Sequence, residues 1–419
     1  MTTTSFELAY GPGTVSIDLP DGPPADVLES RPMPRVPLER AFDDAWTRPI
    51  GMGDPAGLLE RGDRLTIVVN DHTRPTPTRE ILPLLWERIE GRIDSDDVTV
   101  LVATGTHRAS TDAELEVLLG DLRRRFRVIV HDCDRDVVEI GVSARGTPIT
   151  VHRAIVEADR VVSIGRIGMH YYAGYSGGRK NILPGVAGRA AIESNHALMS
   201  DERSTACVYD GNPVNHEMVE AARMAGLDFI VDLVLDGDGR VAKVVVGEPE
   251  AAHAAGRAFW DGYAKVPFDV PYDVVIASAG GHPKDINLYQ AYKAQYNAMR
   301  ALRDGGVLFL IAACEDGIGH PIFTDWMERS GSPEDVLGLY EREGFVLGGH
   351  KAFFLAQDLL RAAVFLRSDL DDDTVRRFFM QPADDAGTVL EEARTRFGTD
   401  VRILVIPHAC DTFPVRREV

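Results

Sequence analysis

The chain has 419 residues, enough for two or three domains at about 100–200 residues each. It carries 45 Lys and Arg against 65 Asp and Glu, and the resulting formal net charge of −20 argues against nucleic acid or an anionic membrane as a partner. No transmembrane run or signal peptide is visible, and the four cysteines are widely spaced without a CxxC pair. We therefore expect a cytoplasmic protein.

Short apolar runs alternate with helical patterns in the first half of the chain. Leu65–Val69, Val98–Ala103 and Arg160–Ile164 are rich in β-branched residues, which is typical of strands buried on both faces. Helical patterns separate them over Ile81–Arg92 and Thr111–Leu119, the second of which begins with a capping-box sequence. This alternation predicts an α/β fold with mainly parallel sheets.

The second half repeats the alternation. Strands are predicted over Tyr272–Ala279 and Gly306–Ala312, with a helix over Ile286–Arg303 between them. Before this unit, the Asp236–Gly239 tetrad predicts a hairpin turn rather than a calcium loop, because the later ligand positions are missing. The segment 264–271 is rich in proline and predicts a linker between two α/β domains.

Unusual polar residues follow three of the predicted strands. The segments are Asn70-Asp-His-Thr-Arg-Pro75, Thr104-Gly-Thr-His-Arg108 and the glycine-rich stretch Gly165–Lys180. Parallel strands end at the same edge of a sheet, so these segments should converge there. The cationic and imidazole side chains that they would bring together are Arg74, His107, Arg108, His170, Arg179 and Lys180. Such a pocket in an acidic protein indicates a small anionic substrate or cofactor.

The glycine-rich segment also contains a GxSxG pattern centred on Ser176, which is typical of serine hydrolases. Such an enzyme would need a histidine base, for which His320 and His350 are candidates. The preceding strand is predicted to end near Ile164, however, too early for a nucleophile elbow. A second alternative is a non-catalytic protein that binds a small carboxylate.

As a set, the motifs resemble those of the nickel-dependent lactate racemases and related 2-hydroxyacid racemases and epimerases. The motifs that carry this resemblance are Asp71-His-Thr-Arg-Pro75, Gly105-Thr-His-Arg108, His170, Ala173-Gly-Tyr-Ser-Gly-Gly-Arg-Lys-Asn-Ile-Leu-Pro-Gly185, Asn195-His196, Pro283-Lys-Asp-Ile-Asn-Leu-Tyr-Gln290, Lys293 and Gly348-Gly-His-Lys351.

The resemblance implies a cofactor, the nickel-pincer nucleotide (pyridinium-3-thioamide-5-thiocarboxylic acid mononucleotide), bound covalently to Lys180. His196 would ligate the nickel, whose preference for tetragonal geometry suits the pincer. Asp71 and the backbone of Gly177 and Gly178 would contact the nucleotide, with the glycine N–H groups at its phosphate. Separate cofactor-biosynthesis enzymes would supply the nucleotide.

The resemblance also implies the reaction, which is inversion of a small-molecule 2-hydroxyacid by reversible hydride transfer. His107 and His170 would be the two acid/bases, a task that suits imidazole near pH 7. Arg74 would bind the substrate carboxylate, and Gln290 and Lys293 would make further substrate contacts.

The same resemblance suggests how the domains are arranged. Residues 1–265 with 397–419, including the last predicted strand near Val401–Pro407, would form a catalytic and cofactor-binding domain. Residues 272–396 would form a second α/β domain, with the active site in the cleft between the two.

Two features of this chain are not explained by the resemblance. His72 is an unusual polar residue inside the Asp-x-Thr-Arg motif, next to Arg74. The family has an aromatic residue beside the cofactor, for which Phe353 and Phe354 are both candidates.

Overall fold

The computed structural model describes residues 4–19 and 24–417, and its contacts divide the chain into two units. The central unit is Pro32–Asp261, and the terminal unit combines Met1–Arg31 with Gly262–Val419. This grouping differs from the predicted domains, which assign residues 1–31 and 397–419 to the first half of the chain. The outer boundaries of that prediction, residues 1 and 419, lie outside the described residues.

Strands occur throughout both units. In chain order they are β1 (Thr4–Tyr10), β2 (Gly13–Leu19), β3 (Asp26–Val27), β4 (Leu65–Asn70), β5 (Val98–Ala103), β6 (Arg127–Val130), β7 (Val137–Val142), β8 (Pro148–His152), β9 (Arg160–Ile167), β10 (Met169–His170), β11 (Gly174–Tyr175), β12 (Leu227–Leu235), β13 (Val241–Gly247), β14 (Lys265–Phe268), β15 (Tyr272–Ser278), β16 (Leu302–Ile311), β17 (Ala363–Arg367), β18 (Gln381–Pro382), β19 (Ile403–Ile406) and β20 (Phe413–Arg416).

Helices connect most of these strands. In chain order they are α1 (Leu38–Trp46), α2 (Thr78–Ile89), α3 (Asp112–Leu119), α4 (Leu122–Arg125), α5 (Arg153–Glu157), α6 (Arg189–Ala197), α7 (Pro213–Met224), α8 (Pro249–Ala264), α9 (Leu288–Ala298), α10 (Pro321–Glu328), α11 (Pro333–Glu343), α12 (Gly349–Arg361), α13 (Asp372–Arg377) and α14 (Ala386–Phe397). Short 3₁₀ helices lie at Pro55–Leu58, Ser95–Asp97, Gly178–Asn181 and Leu198–Ser200. Among the described residues, no helix has both the length and the apolar character needed to span a membrane.

The central unit is built on a six-stranded sheet in the order β13-β12-β9-β4-β5-β6. Neighbouring strands are parallel except β12 and β13, which form the hairpin predicted around Asp236–Gly239. The three strands with unusual polar ends, β4, β5 and β9, are adjacent in this sheet, and Leu65–Val69 of β4 is wholly buried as predicted. The loops that follow these strands therefore begin side by side at one edge.

The terminal unit has a second six-stranded sheet, in the order β18-β17-β16-β15-β19-β3, and every pair in it is parallel. Both sheets confirm the predicted α/β class. The last strand predicted from the sequence, β19, lies between β15 and β3 in the terminal unit. This corrects its predicted placement in the first domain. The physical reason is that Ile403–Ile406 are four buried apolar residues, which need a strand on each side and cover on both faces. The predicted linker 264–271 is also corrected, since β14 within it pairs with β20.

Candidate active site

The loops after β4 and β5 and the glycine-rich segment after β9 are joined by hydrogen bonds at one edge of the central sheet. The Gly105 N–H, after β5, donates to the Gly185 carbonyl at 2.9 Å. Asn70, at the end of β4, donates through Nδ2 to Asn181 Oδ1 at 2.8 Å, and Asn181 directly follows Lys180. The predicted convergence of the three segments is therefore confirmed.

His107 is oriented by a buried carboxylate. Its Nδ1 lies 2.7 Å from Asp71 Oδ2, and the other carboxylate oxygen accepts the Thr73 hydroxyl at 2.6 Å. Burial raises the pKa of Asp71, but the hydrogen bonds from His107 and Thr73 outweigh it and hold that pKa below its usual value. Because the ionised carboxylate accepts the Nδ1 proton, the lone pair of neutral His107 is on Nε2. Asp71 thus positions His107, whereas the resemblance implied a cofactor contact.

Arg74 lies on the same loop and is exposed. Its Nη1 donates to the Thr73 hydroxyl at 3.0 Å. In residues 4–19 and 24–417, no carboxylate lies within ion-pair distance of this guanidinium. A planar guanidinium in that condition can bind a small carboxylate with two parallel hydrogen bonds.

Lys180 lies in the short 3₁₀ helix Gly178–Asn181 and is partly buried. Burial holds the pKa of its amine well below the usual value, and the positive charges of Arg179 and Arg74 lower it further. No hydrogen-bond acceptor lies near Nζ in the described part of the chain. An amine in this environment is neutral more readily than an ordinary lysine, and a neutral amine is a nucleophile.

Two arginines of the predicted cationic pocket have other partners. Arg108 is largely exposed and forms a bidentate ion pair with Glu114 at 2.5 and 2.8 Å. Arg179 is buried and donates to Asn215 Oδ1 at 2.7 Å and to the Tyr175 carbonyl at 2.9 Å. Their placement in the pocket is therefore corrected. Arg108 pairs with Glu114, and Arg179 binds carbonyls within the glycine-rich segment and links that segment to Asn215.

The buried carboxylate of Asp232 lies directly against the backbone of Gly177 and Gly178. The Gly178 N–H donates to Asp232 Oδ2 at 2.7 Å, so it is not available to the cofactor phosphate that the resemblance placed there. A Cβ on Gly177 would lie 2.5 Å from Asp232 Oδ2 and 2.9 Å from Ile167, and its φ of +84° also favours glycine. Burial raises the pKa of Asp232 to about 7.

His170 and His196 are linked by an aromatic residue that the sequence did not single out. The Tyr172 ring lies 4.6 Å from the His170 ring and 5.2 Å from the His196 ring, both in edge-on contact. The Ala173 N–H donates to His170 Nδ1 at 3.3 Å. Tyr172 therefore spaces the predicted acid/base from the predicted metal ligand, and its position two residues after His170 is the only sequence signal for it.

His196 lies on α6 and is buried. Its Nδ1 is 3.2 Å from Asn195 Oδ1. The amide of Asn195 is oriented by its Nδ2, which donates to the Val214 carbonyl at 3.1 Å and to Glu217 Oε2 at 3.0 Å. Nδ1 of His196 therefore carries the proton, and Nε2 has the lone pair that a metal ligand needs.

The surroundings of Ser176 do not support the hydrolase alternative. Its hydroxyl is directed at two backbone carbonyls, 2.9 Å from Arg166 and 3.3 Å from Gly168. Within the described residues no histidine nitrogen is hydrogen-bonded to Ser176 Oγ. Ser176 instead fastens the glycine-rich segment to the end of β9.

The remaining candidates lie in the terminal unit. Gln290 and Lys293 are one turn apart on α9 and so share a face of that helix. Phe354 packs edge-on against an α9 tyrosine at 6.3 Å, whereas Phe353 packs against an α11 tyrosine at 4.5 Å. Of the two phenylalanines, Phe354 is the one beside the helix that carries Gln290 and Lys293.

Comparisons with known proteins agree with this arrangement. The family models for the lactate racemase N-terminal domain and C-terminal domain match residues 10–207 and 268–412. The chain is 34% identical to a lactate racemase of Thermoanaerobacterium thermosaccharolyticum, over 96% of this chain and 97% of that protein. It is 30% identical to a lactate racemase of Lactiplantibacillus plantarum, over 96% and 98%.

Solved structures extend the likeness to the fold. The lactate racemase apoprotein of T. thermosaccharolyticum superposes with a TM-score of 0.90 at 34% identity, covering 99% of this chain and 100% of that one. A Thermotoga maritima protein shares the fold at a TM-score of 0.61 and 19% identity, covering 91% and 96%. The family models and the two curated relatives together show that this chain belongs to the lactate racemase family, a family of isomerases.

Proposed function

We propose that the protein racemises or epimerises a 2-hydroxyacid by reversible hydride transfer to a nickel-pincer nucleotide tethered to Lys180. The observation that carries the proposal is the set of groups at one edge of the central sheet. They are the amine of Lys180 with no acceptor in the described residues, the imidazole of His107 oriented by Asp71, and the guanidinium of Arg74. The family's named members, both lactate racemases, support it.

The residues present fit such a cofactor. The Lys180 amine is readily neutral, as a thioamide linkage requires, and His196 directs its Nδ1 at Asn195, so Nε2 is the nitrogen that would ligate nickel. When bound, the nucleotide supplies an electrophilic ring carbon that accepts a hydride from C2 of the substrate and returns it. The Gly178 N–H is not assigned to the phosphate of the nucleotide, because it donates to Asp232.

Transfer of the substrate's hydroxyl proton is assigned to residues of this chain. His107 Nε2 takes the hydroxyl proton as C2 loses its hydride, which leaves a planar 2-oxoacid, and the Asp71 carboxylate stabilises the imidazolium. When the hydride returns to the other face, the oxygen needs a proton from the opposite side, and we assign this step to His170. His170 Nδ1 accepts the Ala173 N–H, whereas His107 Nδ1 faces the Asp71 carboxylate, so the two histidines have different surroundings, and His170 would exchange the proton through Nε2.

Substrate orientation is assigned to Arg74, Gln290 and Lys293. Arg74 binds the carboxylate, which fixes the direction in which C2 presents its hydrogen. Gln290 and Lys293 lie on one face of α9 and supply further polar contacts.

The proposal places the protein in the cytoplasm, where separate enzymes supply the nucleotide. The four cysteines are widely spaced in sequence without a CxxC pair, as is common in a reducing compartment. Protein made in a host without the synthesis pathway should therefore lack the adduct and be inactive.

The test is to express the chain with and without the cofactor-synthesis enzymes and to assay 2-hydroxyacids deuterated at C2 by chiral chromatography and mass spectrometry. We expect inversion only with the pathway present, an added mass on Lys180, and retention of deuterium at C2, because the same hydride returns. Replacement of the deuterium by solvent hydrogen would instead indicate proton abstraction and contradict the proposal.

A fluorophosphonate probe tests the hydrolase alternative in the same preparation. We expect no labelling of Ser176, since its hydroxyl is held by backbone carbonyls. Stoichiometric labelling, blocked by Ser176→Ala, would favour the hydrolase.

A further inference from the structure

His72 contacts residues of the neighbouring loop and helix through its two ring nitrogens. Its Nε2 lies 3.2 Å from Glu114 Oε1, and its Nδ1 lies 3.2 Å from Ser110 Oγ. The side chain is 22% exposed. Neither the family nor the proposed reaction gives this residue a task.

The direction of His72 is opposite to that of its two neighbours. Asp71 and Thr73 both face His107, at 2.7 and 3.5 Å from its Nδ1, while His72 between them faces Ser110 and Glu114. The loop after β4 is therefore fastened to the segment after β5 on two sides. The inner fastening orients the acid/base, and the outer one is made by His72.

Glu114, which faces His72 Nε2, is itself held in place by several contacts. It forms a capping box with Thr111, whose N–H it accepts at 2.7 Å, and a bidentate ion pair with Arg108. The hydrogen bond from Arg108 is the largest cause that lowers the pKa of Glu114, so the carboxylate stays ionised at neutral pH. His72 Nε2 thus lies beside a charged carboxylate that α3 keeps in place.

The Ser110 hydroxyl can donate to His72 Nδ1 or accept from it. The charged groups that face the ring are Glu114 and Arg108, the latter with Nη2 3.5 Å from Nε2.

We propose that His72 is a positioning residue that holds the loop after β4 so that Arg74 is preorganised for the substrate carboxylate. Arg74 is exposed and follows His72 by two residues, so its placement depends on how firmly the loop is held. This inference rests on the proposed function, because it concerns the group that binds the carboxylate.

The experiment compares holoenzyme variants His72→Ala, His72→Gln and Arg108→Ala. Because the loop after β4 would lose its contacts with Ser110 and Glu114, we expect His72→Ala to raise KM for the 2-hydroxyacid about tenfold with kcat within about twofold. Arg74 binds substrate and transition state alike, which is why KM changes rather than kcat. In His72→Gln the amide N–H can reach Glu114, so KM should return close to the wild-type value. The pH profile of kcat should be unchanged.

Arg108→Ala is the matched control, since it removes Arg108 from both Glu114 and His72 Nε2 but leaves the hydrogen bond between His72 Nδ1 and Ser110 in place. We expect its KM to be unchanged. An equal rise in KM for Arg108→Ala and His72→Ala would overturn the proposal, because the effect would then come from Glu114 alone. A shifted pH profile in His72→Ala would also overturn it, because His72 would then act at the reacting atoms.

Hydrogen exchange separates this proposal from the proposed function. The amides of Thr73 and Arg74 are bonded to Asp71, at 3.2 Å each, and should exchange at least about threefold faster in His72→Ala than in the wild type or His72→Gln, with or without cofactor. If the wild-type holoenzyme inverts no 2-hydroxyacid, the proposed function fails, and unchanged exchange in His72→Ala would independently overturn the role of His72.

Discussion

Lys180 of the central unit and Lys351 of the terminal unit both have strongly lowered pKa values, and the two lysines differ in what surrounds the amine. Lys351, in α12 of the terminal unit, is buried, and its Nζ donates to the Tyr289 carbonyl and lies 3.8 Å from the centroid of the Tyr289 ring. Burial lowers the pKa of Lys351 to about 7. Lys180, in the central unit, has its pKa lowered by burial too, but no acceptor is found for it in the described residues.

This difference shows why a perturbed pKa does not identify a reactive lysine. The hydrogen bond and the aromatic face at Lys351 hold its amine in one place and favour the charged form. At Lys180 the neighbouring charges are those of Arg179 and Arg74, which favour the neutral form. We infer that Lys180 is arranged for covalent chemistry and Lys351 for structure.

The largest expected effect comes from replacing each lysine by methionine. Lys180→Met should abolish both the covalent adduct and the racemase activity, because no amine remains to form the thioamide. Lys351→Met should keep the adduct, since the Lys351 amine is held by the Tyr289 carbonyl and ring. Intact-mass spectrometry of protein coexpressed with the cofactor-synthesis enzymes measures both. An adduct on Lys180→Met, or its loss only in Lys351→Met, would reverse the comparison.

The next effect concerns one carboxylate in each unit. Asp71→Asn should lower kcat about 10²-fold or more, because an amide no longer enforces the Nδ1 proton of His107 or stabilises its imidazolium. The matched control is Asp358→Asn in the terminal unit, which can still accept the Tyr292 hydroxyl and the Gln295 amide and should leave kcat within about threefold. Steady-state kinetics of the two holoenzymes decides the matter, and similar losses would show that the proposed acid/base site is wrong.

A smaller effect is expected at Arg74. Arg74→Lys keeps the positive charge that lowers the pKa of Lys180, so the adduct should form, but KM should rise about 10- to 100-fold because an ammonium cannot bind a carboxylate with a planar fork. The control is Arg108→Lys, which lies on the adjacent loop but pairs with Glu114. An unchanged KM in Arg74→Lys would remove Arg74 from carboxylate binding.

How far the sequence predicts this molecule can be judged from the central sheet. The β-branched runs of β4, β5 and β9 and the capping box of α3 are local signals, and the structure confirms all of them. The convergence of the loops also follows, since adjacent parallel strands end together. The local sequence pattern does not show which residue a charged side chain pairs with in the folded chain.

The errors at the site arise from such partners. Arg108 and Arg179 look alike in sequence to Arg74, yet one pairs with Glu114 and the other is enclosed by carbonyls of its own segment. Gly178 was assigned to a phosphate, although Asp232, more than fifty residues away, occupies its N–H. The domain boundary was misplaced for a similar reason, because β19 carries no local signal for which sheet it joins.

The smallest expected effect is on the pH dependence of stability, and it concerns Lys351. Its pKa is about 7 in the folded chain and about 10.4 in an unfolded one, so between these values the unfolded chain binds more protons and the free energy of unfolding rises with pH. One proton corresponds to at most about 1.4 kcal/mol per pH unit. Lys351→Met removes this contribution, so denaturant unfolding at pH 7, 8 and 9 should show a flatter rise than in the wild type. Identical slopes would mean that Lys351 stays charged when folded, and then Lys180 would be the only lysine of the two whose surroundings favour the neutral amine.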